Sequence, residues 1–241
     1  MKIRNNNIKA ILFDSGKVLN RPSTGHWFIS PNFFHYVDKE KFEQLDKKKI
    51  ANAFKKAHEY MDEQKIILNQ EMEYKHFIEF YKIFLENVSE LDMRYEEAEM
   101  LAEDLVYNNE KYVFYDDAID VLPKLKENYK LGIVSDAWPS LKNVYVNAKL
   151  DGYFDCFVIS SILGVTKPDA KMYQTALDEL NVLPQEAIFV DDNLKNVVGA
   201  MNLGICGVLL CRNKWVYYIN KFISIGKKYC VINTLNEIVG Y

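Results

Sequence analysis

Short apolar runs alternate with amphipathic stretches at both ends of the chain. Ile8 to Phe13, Leu131 to Val134, Phe154 to Ile159, Ala187 to Val190 and Ile205 to Leu210 are brief and bounded by turn residues, as buried strands are. Between them the spacing predicts helices over Asp117 to Tyr129, Pro168 to Leu180 and Leu194 to Leu203. The second has proline at its first position, where no backbone donor is lost, and the third stops at Gly204. A last strand around Lys228 to Ile232 and a short helix from Thr234 close the chain. Alternation of this kind predicts an α/β fold, a doubly wound parallel sheet with helices on both faces.

The stretch from Arg21 to Tyr112 is patterned differently and carries almost no strand signal. Phe77, Phe80, Tyr81 and Phe84 recur at helical spacing, as do Leu101, Leu105 and, loosely, Met100; Lys39 to Met61 reads as a further helix. Charged helices with one apolar stripe predict a small helical bundle. The expected organisation is a core of residues 1–20 and 113–241 interrupted by a helical insert of residues 21–112.

Composition narrows the partners. The 241 residues are 49% hydrophobic and carry a net charge of −4, ordinary for a globular chain. No Lys/Arg block is long enough to track a nucleic acid, so neither nucleic acid nor a membrane surface is expected as a partner. Cys156, Cys206, Cys211 and Cys230 lack C-x-x-C spacing, which argues against structural zinc. Met1 to Asn7 shows no apolar signal segment and nothing reaches membrane-spanning length, so a reducing cytoplasmic compartment is expected. Oligomeric state and the natural substrate are not encoded legibly.

Candidate chemistry sits at strand ends. Asp14 follows Ile11-Leu12-Phe13, and Asp191-Asp192 follows Phe189-Val190. In a parallel sheet these carboxyl ends line the ligand crevice. Three carboxylates gathered there call for a cation, and oxygen-only ligands suit Mg²⁺. Taken singly, Asp14 could equally cap a turn, and the acid pair could be a helix-start cluster. Ser135 also ends a strand, where a hydroxyl and the next backbone N–H can grip phosphate or simply form a turn. Lys167, before Pro168, could neutralise both a phosphate and Asp14; an exposed lysine is the bland alternative.

Four ordered motifs make the combination specific: Ala10-Ile11-Leu12-Phe13-Asp14-Ser15-Gly16-Lys17-Val18-Leu19, Leu131-Gly132-Ile133-Val134-Ser135-Asp136, Gly164-Val165-Thr166-Lys167-Pro168-Asp169, and Ile188-Phe189-Val190-Asp191-Asp192-Asn193 with Asn196 and Gly199-Ala200. Together they resemble the haloacid dehalogenase superfamily, most of whose members are Mg²⁺-dependent phosphatases. The resemblance implies a Rossmann-like core with an inserted helical cap. It implies Asp14 as nucleophile, forming an aspartyl-phosphate with a small phosphorylated metabolite. Ser135 and Lys167 would hold the phosphoryl oxygens, with Ser15, Gly16 and Asp136 also lining the substrate. Mg²⁺ would sit among Asp14, the Gly16 carbonyl, Asp192 as direct ligand and Asp191. Asn196, one turn beyond Asp192, would orient Lys167 or a metal-bound water.

Three departures qualify that picture. Many of these phosphatases carry an acid/base Asp where this chain has Gly16; a branch acting on small sugar phosphates has Asp-x-Gly-x-Val here and keeps the acid pair, as this chain does. Asp136 is an anion where a small polar residue is usual, and Lys17 has no assigned role. The rivals are a metal-independent C–halogen hydrolase, against which the acid pair argues, and a weakly active module that binds a phosphate ligand or a partner. Aromatics His26, Trp27, Phe28, Phe33, Phe34, His35 and Tyr36 open the insert. They read as its core, with Trp27 the candidate for substrate contact.

Overall fold

The computed structural model describes residues 7–239. The reading of the first residues as free of a signal segment therefore lies outside the described part, apart from Asn7. Eight strands form in chain order: β1 (Ala10–Phe13), β2 (Asn20–Pro22), β3 (Tyr112–Phe114), β4 (Lys130–Ser135), β5 (Cys156–Ile159), β6 (Ala187–Asp191), β7 (Cys206–Leu210) and β8 (Cys230–Ile232). Six build one sheet in the order β5-β4-β1-β6-β7-β8, all parallel. The buried strands are nearly pure apolar runs, as a sheet covered on both faces requires. The order reverses direction at β1, which is the switch point where such sheets bind ligands.

The chain divides into two compact units, Met1–Arg21 with Phe114–Ala137 and Tyr145–Tyr241, and Pro22–Val113 with Trp138–Val144. The ends of the helical insert fall one residue from those expected. The segment Trp138–Val144, which sequence reading gave to the core, groups with the helices. Its reason is chemical: Ser140 donates through its backbone N–H and hydroxyl to the Glu73 carboxylate, and Trp138 packs edge-on against Phe77.

Within the helical unit, Phe77, Phe80, Tyr81 and Phe84 lie on one buried stripe of the helix Gln70–Glu86, with Phe84 stacked on Phe54 and Phe80 tilted against it. Leu101 and Leu105 are buried in Tyr95–Tyr107, whereas Met100 is exposed and off the stripe. The stretch Lys39 to Met61 is two helices, Lys39–Gln44 and Lys47–Glu63. Asp46 breaks it by accepting from the Lys48 N–H as an N-cap. The helix expected from Pro168 starts at Ala170, because Asp169 caps it by accepting from the Lys171 N–H.

Candidate active site

Register brings the carboxylates together. β1 lies between β4 and β6, with Phe13 opposite Ile133 on one side and Val190 on the other. The Asp14 N–H donates to the Val190 carbonyl at 2.9 Å. Three adjacent strands thus end in Ser135, Asp14 and Asp191-Asp192, with Asp14 in the middle. Asp14, Asp191 and Asp192 each present a carboxylate oxygen within 4.8 Å of the others.

Lys167 enters this cluster fully buried. Its Nζ lies 2.7 Å from Asp14 Oδ1 and 2.9 Å from Asp191 Oδ2. Burial alone would lower the ammonium's pKa, but Asp14, Asp191 and Asp136 together outweigh it and hold Lys167 well above its ordinary value. The turn carrying Lys167 is reached by a close approach: a Cβ on Gly199 would come within 2.5 Å of Pro168 Cβ. Glycine lets the helix Leu194–Asn202 pack against that turn.

Asp191 has both oxygens occupied. Oδ1 accepts from the Asn193 N–H at 2.7 Å, and Oδ2 accepts from Lys167 and from Asn196 Nδ2 at 3.0 Å. Asn196 thus holds Asp191, whereas the expectation placed it on Lys167 or a metal-bound water; a helical residue covers the turn preceding it. Burial and then the Asp14 charge raise the Asp191 carboxyl above its ordinary range. Asp192 is half-buried and faces Lys17, whose Nζ lies 3.8 Å away; burial again raises it. Lys17 is the left-handed residue of the loop (φ 60°), a conformation it adopts in place of Gly16. Its carbonyl and that of Val18 accept from Arg212, which also forks onto Asp117 at 2.9 and 3.1 Å and stacks on Tyr115.

Other expected residues fall differently. The Asp136 Oδ1 accepts from the Lys167 backbone N–H at 2.9 Å, so this carboxylate is turned onto the Lys167 loop instead of being offered whole to a substrate. Burial raises its pKa, partly offset by Lys167. The Ser15 N–H donates to Asp14 Oδ1 at 2.8 Å, while its hydroxyl is tied inward to Tyr145 and Asn20. Ser135 is buried at the end of β4. Trp27 belongs to the helical unit and packs edge-on against Tyr112. Sequence reading missed Asn20, Tyr145 and Arg212. Tyr145 and Arg212 reach the loop from far along the chain, and Asn20 closes it locally onto Ser15; nothing in their spacing marks them.

Comparison with known proteins fits this geometry. The model of the haloacid dehalogenase-like hydrolases matches residues 8–204. The chain belongs to that family. It is 31% identical over 176 residues to the glyceraldehyde 3-phosphate phosphatase of Pyrococcus furiosus, a match covering 67% of this chain and 73% of that protein. Further curated relatives are matched over only about half their length (51% and 50%). Among solved structures, a HAD phosphatase from Thermococcus onnurineus superposes with a TM-score of 0.62 at 25% identity, covering 96% of each chain. The L-2-haloacid dehalogenase of Xanthobacter autotrophicus has a TM-score of 0.63 at 19% identity and 97% coverage of each, a likeness of fold.

Proposed function

We propose that this hydrolase cleaves small phosphomonoesters, with Mg²⁺, through phosphoryl transfer to Asp14. The observation that carries it is a charge imbalance: three carboxylates within 4.8 Å share one buried ammonium. Such a site favours a divalent cation and an anionic ligand bound with it. The printed activity of the Pyrococcus furiosus relative, and the phosphatase title of the Thermococcus onnurineus structure, support the same reading.

The residues present fit Mg²⁺, being oxygen donors only. Asp14, Asp192 and the Gly16 carbonyl would hold it directly, because both Asp191 oxygens already accept hydrogen bonds; Asp191 would act from behind or through water. When bound, the ion would offset the repulsion between phosphate and carboxylates. Lys167 and the Ser15 N–H fix Asp14 Oδ1 and so orient the carboxylate. Asp14 attacks phosphorus as the bond to the leaving oxygen breaks, and that oxygen takes a proton from solvent water. Water then attacks phosphorus, freeing phosphate and the Asp14 carboxylate. Ser135 and Lys167 hold the phosphoryl oxygens. A C–halogen hydrolase working without metal would have no use for the second carboxylate, Asp192, beside Asp14.

The test is hydrolysis of a panel of phosphomonoesters with Mg²⁺ and with excess chelator. Mg²⁺-dependent release of phosphate is expected, with aryl phosphates cleaved faster than sugar phosphates because Gly16 supplies no acid. A positioned acid contributes about 10²–10⁴-fold, so Gly16→Asp should narrow the gap; the φ > 0 position lies at Lys17, leaving Gly16 free of that strain. Full turnover in chelator, or release of halide from 2-haloacids without phosphate release from any ester, would overturn the reading.

A further inference from the structure

The helix Lys214–Ile223 is built inside out. Asn213 caps it by accepting from the Trp215 and Val216 N–H groups, so it is a formed helix. Tyr217 packs towards the buried cluster of Val197, Leu209 and Val231, and Lys221 Nζ donates to the Val231 carbonyl at 3.0 Å. Trp215, Tyr218, Ile219 and Phe222 follow at i, i+3, i+4 and i+7 and form a stripe on solvent. Trp215 is 80% exposed and Phe222 77%. Ile223 and Ile225 extend the patch. A contiguous apolar face of this kind marks an interaction site.

Charge selects what it meets. The chain is net negative, yet no Asp or Glu occurs between Asp192 and Glu237. That stretch carries Lys195, Arg212, Lys214, Lys221, Lys227 and Lys228. Arg212 is occupied by Asp117, whereas Lys214, Lys227 and Lys228 are exposed near the two ends of the stripe. An aromatic and aliphatic face flanked by lysines is the composition of a helix that lies in the headgroup region. Trp and Tyr sit at that depth by virtue of an apolar body and a polar edge, and lysines reach up to lipid phosphates. Ten residues of helix reach only about 15 Å, half a hydrocarbon core, so this element would lie on a bilayer, not cross it. Among the described residues no helix is long and apolar enough to span a membrane. Pairing with a second copy about a two-fold axis would set this lysine-flanked surface against itself.

We propose that the Lys214–Ile223 face docks this protein on an anionic lipid bilayer. This revises the expectation of no membrane-surface partner, which rested on the lack of a continuous basic block; the lysines are dispersed in sequence around an outward-facing apolar stripe. The proposal does not rest on the phosphatase reading.

The test is flotation of the full chain with vesicles of phosphatidylcholine containing phosphatidylglycerol, and with phosphatidylcholine alone. Binding to the anionic vesicles, weakening as salt is raised, is expected. Each surface lysine contributes about 1 kcal/mol, so Lys227→Glu/Lys228→Glu should weaken binding by about 10-fold or more. Trp215→Ala/Phe222→Ala should do the same while turnover of a soluble substrate stays unchanged. Failure to float with anionic vesicles overturns the proposal. So does equal binding to neutral vesicles, or a dimer in sedimentation that Trp215→Ala/Phe222→Ala dissolves without any lipid binding.

Discussion

Among the described residues two lysines are buried near carboxylates, one in each unit, and they are held in opposite ways. Lys167 in the core faces Asp14, Asp191 and Asp136, whose charge outweighs burial and raises its pKa. Lys111 in the helical unit gives its protons to the carbonyls of Leu105 and Val106 and to Ser140 Oγ, with Glu73 beyond. There burial wins over Glu73 and Asp104, and the ammonium is lowered to about 8. Burial raises Glu73 in turn, partly offset by Lys111 and by the hydrogen bonds from Ser140. One lysine is outnumbered by anions, which leaves a site hungry for a cation. The other gives its hydrogen bonds to two carbonyls and a hydroxyl and meets Glu73 through Ser140, which leaves a staple. Direct contact with several carboxylates, not burial of charge, is what sets the two lysines apart.

The largest expected effect separates the two. Lys167→Met should lower turnover by about 10²–10³-fold, the loss typical of one electrostatic stabiliser. Mg²⁺ should raise the melting temperature of this variant more than that of the wild type, because its carboxylates have lost their buried counter-charge. Equal Mg²⁺ shifts would dissolve the distinction. Lys111→Met should instead destabilise the fold by about 3 kcal/mol, measured by urea titration, since breaking a buried pair leaves Glu73 uncompensated. The Mg²⁺ dependence of turnover should not move.

A smaller effect tests the sign of the Lys111 shift. Below about pH 8 this lysine is charged in both folded and unfolded chains, and the cost of burying the charge is fully present. Between about 8 and its ordinary 10.5 the folded chain releases the proton first, so stability rises with pH in that window. The wild type should therefore gain on the order of 1–2 kcal/mol relative to Lys111→Met from pH 8 to pH 10. A falling difference would mean that Glu73 dominates and Lys111 is raised. Smallest of all, Arg212→Lys should cost about 1 kcal/mol and lower turnover a few-fold, because an ammonium cannot make the planar fork that joins Asp117 to the Lys17 and Val18 carbonyls. Unchanged kinetics would show that the nucleophile loop holds itself.

Much of this contrast was legible before the fold was known. The apolar runs located the six strands of the main sheet, and the motifs marked Asp14, Ser135 and the Asp191-Asp192 pair, because strand ends in a parallel sheet converge whatever the loops do; Lys167 comes to the cluster from a turn. The aim of each side chain was not legible. Asn196 was expected on Lys167 or a metal-bound water and holds Asp191; Asp136 was expected on substrate and holds the Lys167 backbone. Hydrogen-bond partners depend on angstrom-scale placement that periodicity does not carry. The Glu73–Ser140–Lys111 staple and the Lys214–Ile223 helix were missed for related reasons. The first joins residues distant in sequence, and the second turns its apolar stripe outward, where a pattern reading expects it inward.

Asp14, the carboxylate between Lys167 and the Asp191-Asp192 pair, is the proposed nucleophile. Rapid acid quench during turnover of an aryl phosphate with Mg²⁺, followed by peptide mass analysis, tests it most directly. A phosphoryl group is expected on the peptide carrying Asp14, with neither the adduct nor turnover in Asp14→Asn. Turnover retained in Asp14→Asn, or a phosphoryl group trapped on any other residue, would contradict it.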